Sequence, residues 1–159
     1  MTRRALIIAA AALLSACGFQ LQGRTPLPES LKVTFVQADD QQSDFVQGLR
    51  KALITSGAQL AASSEGASGT VRIVRDEVQR NVLSVSARNT PREYEVRYTV
   101  RFSVRAGDKE LLPEQEVALS RDYSFDERNL LAKEHEEAIL REALARDLVG
   151  IVMRRLASL

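Results

Sequence analysis

Residues 93–105 alternate strictly between apolar and polar. Tyr94, Val96, Tyr98, Val100, Phe102 and Val104 fall on one side; Glu93, Glu95, Arg97, Thr99, Arg101, Ser103 and Arg105 fall on the other. A period of two predicts a strand with one buried face and one wet face. Upstream, Leu31, Val33 and Phe35 alternate with Lys32 and Thr34, a second strand signal. Between positions 70 and 87 the apolar parity slips. Val71 and Ile73 are odd, Val74, Val78 and Val82 even, Leu83 and Val85 odd again. One extra residue at each slip, a β-bulge, reconciles these with a single strand. Val117, Leu119, Tyr123 and Phe125 mark a further strand, and Gly107-Asp108 lies in the reversal before it. Tyr123 and Phe125 fit either a core or an interface.

Two segments carry a helical period instead. Phe45, Val46, Leu49, Ala52 and Leu53 recur at helical spacing behind the N-cap candidates Ser43 and Asp44, with Gly57 where a C-terminal cap belongs. From 130 to 157, Leu140, Leu144, Leu148 and Val152 repeat every fourth residue, flanked by Ala145, Val149 and Ile151. Glu137 with Arg141, and Glu142 with Arg146, have the spacing of i,i+4 ion pairs. Residues 88–92, Arg-Asn-Thr-Pro-Arg, are turn chemistry, and residues 61–69 are a small-residue connection. The expected order is β-α-β-β-β-α. It predicts an α+β two-layer sandwich, a roughly four-stranded sheet with both helices on one face, as one domain over 31–159.

The N-terminus reads differently. Arg3 and Arg4 precede an apolar run, 5–14, that is too short to span a bilayer, where about 20 residues are needed. Small residues follow, so 1–16 has the form of a signal peptide. Leu14-Ser15-Ala16-Cys17 resembles the lipobox of bacterial lipoproteins. The resemblance implies diacylglyceryl transfer to Cys17, cleavage before it and acylation of the new amino terminus. Cys17 is the only cysteine, so no internal disulfide is available. Position 18 is Gly rather than the Asp that commonly retains such proteins in the inner membrane, which points to the outer membrane. Residues 17–30 then form a lipidated tether that ends in the extended stretch Thr25-Pro26-Leu27-Pro28.

Composition narrows the function. The full chain carries a formal charge of +1, and loss of Arg3 and Arg4 turns it slightly negative. A nucleic-acid binder carries a basic excess, so that class is set aside. His135 is the only histidine and stands among glutamates; with an acylated Cys17 it forms no usual zinc set. No Gly-x-Ser-x-Gly elbow or phosphate-binding glycine loop occurs, so neither an enzyme nor a cofactor is expected.

Cys-Gly-Phe-Gln-Leu-Gln-Gly (17–23) resembles the mature start of the LptE family of lipopolysaccharide-assembly lipoproteins, with Gln22 where that family has a basic residue. The similarity continues in order at 87–104, an Arg-Asn turn and a Glu-Tyr-led strand. It continues again at 121–140, an aromatic strand end leading into Leu-Ala-Lys and an acidic helix start. The resemblance implies a non-enzymatic partner of the outer-membrane barrel LptD that plugs its lumen and binds lipopolysaccharide. It further implies Arg88 and Lys133 as lipopolysaccharide-binding residues, and Arg92 shares the turn of Arg88. Between Asp126 and Lys133 one residue is missing relative to some relatives. Arg97, Arg101 and Arg105 on the wet strand face suit either solvent or the acidic groups of a barrel lumen. The runner-up reading is a periplasm-facing lipoprotein scaffold of another outer-membrane machine, and an exported hydrolase comes third.

Replacing Cys17 by Ala is expected to abolish incorporation of a clickable palmitate, read by in-gel fluorescence; persistent labelling would refute lipidation at this residue.

Overall fold

The computed structural model describes residues 26–125 and 130–159, the side chains of 130–134 excepted. A short 3-10 turn, Glu29–Leu31, opens it. Then follow β1 (Val33–Gln37), α1 (Asp44–Thr55), β2 (Gln59–Leu60), β3 (Gly69–Val85), β4 (Pro91–Ala106), β5 (Lys109–Ser124) and α2 (Leu130–Ala157). The sheet order is β2-β1-β3-β4-β5. β1 runs parallel to both β2 and β3, while β3, β4 and β5 form an antiparallel meander. The α+β sandwich expected from the pattern is therefore present, with a fifth strand. That strand, β2, is two exposed residues held to β1 by backbone bonds, so it leaves no apolar pattern to read.

α1 starts where Ser43 accepts a hydrogen bond from Val46 N at 3.1 Å. It ends at Thr55 with Ser56 as its C-cap, and Gly57 follows with φ 93°, the left-handed geometry that glycine adopts without steric cost. Phe45, Val46, Leu49 and Leu53 from α1 join Leu144, Leu148, Val152 and Leu156 from α2. Together they cover the inward row Val96, Tyr98, Val100, Phe102 and Val104 of β4, all nearly solvent-free. Thr34 is the one buried polar residue described, and its hydroxyl donates to Leu31 O at 2.6 Å.

The parity slips of β3 are register shifts against β4, between Ile73 and Arg75 and on both sides of Ser84. Between them Val78 stands opposite Tyr98 and Val82 opposite Tyr94, so both valines belong to the helix-side face. They nevertheless remain 37% and 50% exposed. The N-cap Ser43 of α1 donates to Asp76, so α1 begins level with that residue and the distal half of β3 extends past its cover. On α2, Arg141 pairs with Asp44 of α1 at 3.4 Å and Glu137 with Arg80 of β3 at 3.1 Å. Glu137 and Arg141 thus each pair with a residue of another element, Glu137 with the sheet and Arg141 with α1.

A Cβ on Gly69 would lie 2.4 Å from Ser30 O and 2.7 Å from Leu31 Cδ2, where the first turn crosses the start of β3. Gly69→Ala is expected to cost about 1–3 kcal/mol by overpacking, read as a lower urea midpoint with an unchanged slope.

Candidate functional site

The β3–β4 turn and the end of β5 meet at the distal end of the sheet. Residues 86–90 close the turn: Ser86 N donates to Thr90 O at 2.7 Å and Asn89 N to Ser86 O at 2.9 Å. Asn89 sits at φ 60°, a region asparagine tolerates better than most residues. This geometry throws Arg88 outward from the loop, and Arg92 follows one residue into β4. On the other side, Phe125 N donates to Arg92 O at 2.7 Å, which carries the β4–β5 pairing one residue past β5. The result is an open cleft of about 950 Å³ lined by Ser86, Arg88, Thr90, Arg92, Ser124 and Phe125, among others.

Arg88 and Arg92, expected as ligand residues, are therefore brought to one cleft, and both are exposed. Among the described residues no carboxylate forms an ion pair with either guanidinium. Lys133 lies in the first turn of α2, and its side chain is outside the described residues, as is all of Cys17. Of the two aromatic residues that fitted core or interface, Tyr123 is buried and Phe125 is half-buried in the cleft wall. The wet-face arginines are mostly engaged locally. Arg101 pairs with Glu116 at 2.9 Å and Glu114 at 3.5 Å, and Arg105 donates to Asp108 O at 3.3 Å.

Behind the cleft lies a cluster that the sequence pattern did not single out. Tyr94 stacks on Tyr123 (centroids 5.7 Å apart) and meets Phe125 edge-on (5.3 Å). The Arg80 guanidinium lies 4.9 Å over the Tyr94 ring and reaches Glu137, which also accepts from Tyr123 OH at 2.7 Å. Each aromatic pair of this kind contributes about 0.5–1.5 kcal/mol, and a half-exposed cation–π contact about 0.5–1 kcal/mol. Parity could have revealed Arg80: it lies between Val78 and Val82, so it must point to the apolar face. Burial pushes the Tyr123 hydroxyl up to about 12, with the Glu137 carboxylate as second cause. Burial also acts to raise Glu137, but its hydrogen bonds from Tyr123 and Arg80 outweigh that and hold it below the usual carboxylate range.

Among the described residues no helix is long and apolar enough to cross a membrane. The architecture is that of small bacterial lipoproteins. A minor lipoprotein of Acinetobacter baumannii superposes with a TM-score of 0.68 at 19% identity, over 84% of this chain and 94% of that one. Lipoprotein B of Nitrosomonas europaea gives 0.73 at 24%, over 89% and 91%. The rare lipoprotein B of Shewanella oneidensis gives 0.69 at 23%, over 79% and 94%. These likenesses establish the fold. No curated protein matches the chain in sequence. The profile of the LptE family, lipopolysaccharide-assembly, matches residues 30–156, and the chain belongs to that family of non-enzymatic lipopolysaccharide-assembly lipoproteins.

A lowered carboxyl stabilises the fold above its unfolded pKa, about 4.3 for glutamate, and this stabilisation disappears as pH falls through the folded value. Glu137→Gln is accordingly expected to destabilise by up to about 1 kcal/mol at pH 7, given its partial exposure. The deficit should shrink at pH 3, as measured by urea unfolding at both pH values; a pH-independent deficit would mean that the charge plays no part.

Proposed function

We propose that this chain is an outer-membrane lipoprotein, anchored through acylated Cys17, that binds lipopolysaccharide and partners the LptD barrel as its assembly factor and lumenal plug. Membership of the family supports the assembly role, and the cleft supports the ligand. The carrying observation is the pair Arg88 and Arg92, together on one open cleft and paired with no carboxylate among the described residues. Lipid A presents phosphates on a sugar backbone above acyl chains. Guanidinium groups bind phosphate bidentately with charge assistance. Ser86 and Thr90 add hydroxyls, and Phe125 offers an apolar wall to the less polar part of the ligand. Lys133, in the first turn of α2, is the third cation of this reading on the strength of the family resemblance. A cation there opposes the helix dipole, a small cost that a bound phosphate reverses. Several acyl chains on Cys17 anchor stably where one chain alone is marginal. The polar wet face of the sheet suits the polar interior of a large barrel.

Arg88→Asp with Lys133→Asp is expected to weaken binding of purified lipopolysaccharide about tenfold or more, since each hydrogen bond to a charged group is worth about 1.5–3 kcal/mol. Circular dichroism should remain that of the parent. Unchanged affinity in the folded double variant would refute the assignment. A pull-down from detergent-solubilised outer membranes should bring LptD down in equal amount; its absence, with another envelope machine captured instead, would favour a scaffold role elsewhere.

A further inference from the structure

Four side-chain hydroxyls line the cleft between the β3–β4 turn and the end of β5, those of Ser84, Ser86, Thr90 and Ser124. They are not equivalent. Ser84 donates to the Glu93 carboxylate at 2.7 Å, so its proton is taken. Ser124 stands opposite Glu93 in the β4–β5 register, beside a negative charge that repels an anion. Ser86 and Thr90 remain, and both belong to the turn that carries Arg88.

The Ser86 and Thr90 hydroxyl oxygens lie 2.5 Å apart, and the distance alone does not say which one donates. Hydrogen-bonding capacity does. A hydroxyl has one proton and two acceptor lone pairs. Ser86 Oγ accepts from Arg88 N and from Thr90 N, each at 3.2 Å. Both lone pairs are then occupied, and Ser86 meets Thr90 Oγ1 as the donor. The proton of Thr90 has to point elsewhere. Among the described residues Thr90 Oγ1 makes no further hydrogen bond. Thr90 is half-buried in the cleft wall, two residues from Arg88 and two from Arg92. Its oxygen accepts from a hydroxyl that is itself polarised by two backbone N–H groups. Such a chain strengthens each member, so Thr90 is a better donor than an isolated hydroxyl. Ser86 also holds the backbone on both sides of Arg88, through the Arg88 amide on its Oγ and the Asn89 amide on its carbonyl at 2.9 Å.

We propose that Thr90 is a ligand-binding residue of this cleft, donating its hydroxyl proton to an oxygen of the anion that Arg88 and Arg92 bind, and that Ser86 is the positioning residue that turns this proton outward. The inference rests on the reading of the cleft as a lipopolysaccharide site and adds one uncharged donor to it. The oxygen met between two guanidinium groups is a phosphate oxygen, and a hydroxyl bonds such an oxyanion more strongly than a neutral acceptor.

Binding of purified lipopolysaccharide to the full-length, detergent-solubilised protein tests it. Thr90→Val removes the proton and keeps the shape of the side chain. It should weaken binding about tenfold, as loss of a hydrogen bond to a charged group does. Hydrogen exchange across residues 86–90 should keep the parent rate, because Ser86 Oγ still holds both amides. Thr90→Ser should bind like the parent. Ser86→Ala should weaken binding and also speed that exchange. Combined with Thr90→Val, it should lose less than the product of the two single losses, since both act through one proton. Parent-like affinity in Thr90→Val would overturn the proposal. So would a loss accompanied by faster exchange, which marks a purely structural role. If Arg88→Asp also leaves the affinity unchanged, the reading of the cleft falls and takes the proposal with it. If Arg88→Asp weakens binding and Thr90→Val does not, the proposal falls alone.

Discussion

The helix layer is shorter than the sheet it covers, and most of the architecture follows from that mismatch. α1 can bury the inward face of β3 only up to Asp76, where its N-cap Ser43 is bonded to the sheet. Asp76 is also bonded to the buried Tyr98 hydroxyl of β4, whose ionisation burial first, and then Asp76, pushes beyond the ordinary tyrosine range. The Ser43–Asp76–Tyr98 junction marks where apolar packing ends. On one side lies a dry core in which β4 buries every second side chain. On the other, the hairpin and the N-terminal half of α2 are held by rings and a shared carboxylate instead: Tyr94, Tyr123, Arg80 and Glu137. Contacts of this kind stabilise less per residue than a packed core, and they leave an exposed end on which charged and aromatic groups can face a ligand or partner.

What the sequence disclosed follows the same division. β4 was legible because its neighbours on both sides and the helices above impose a strict period of two over its whole length. α2 was legible because one of its faces is buried. Gly57 announced the end of α1 because only a positive φ, here 93°, closes that cap. β2 was not legible: Gln59 and Leu60 are both exposed and owe their pairing to backbone bonds, which any residue but proline supplies. The slips in β3 were visible as broken parity, but not that Val78 and Val82 would remain exposed, since that depends on where α1 begins in space. At the candidate site, the turn chemistry located Arg88 and Arg92 correctly at one end of the sheet. The Arg80–Glu137 contact joins residues far apart in sequence, and no local pattern carries such a pairing.

Among the described residues, β5 and the distal half of β3 each have one edge without a partner strand, and the two differ. β5 carries Pro113 at its register shift against β4, and proline has no N–H to offer an incoming strand. The distal half of β3 has no proline, and its bulges bracket a regular stretch rather than interrupt it. Charges on an edge normally discourage pairing. In β3 the charges are engaged within the chain: Arg75 pairs with Glu77, Asp76 accepts from Ser43, and Arg80 pairs with Glu137.

Charge pairing separates the basic residues by role. Arg121 pairs with Asp147 across the layers, Arg141 with Asp44 between the two helices, and Arg155 donates to Gln115 at 2.6 Å. These contacts fasten α2 to β5 and α1. Surface pairs of this type contribute about 0–1 kcal/mol each, so several acting together orient a long helix without dominating its stability. Arg88 and Arg92 take no part in this fastening among the described residues, and the turn that bears them is closed by Ser86, Asn89 and Thr90 without either guanidinium. In the proposed function their role is to meet an anion from outside the chain.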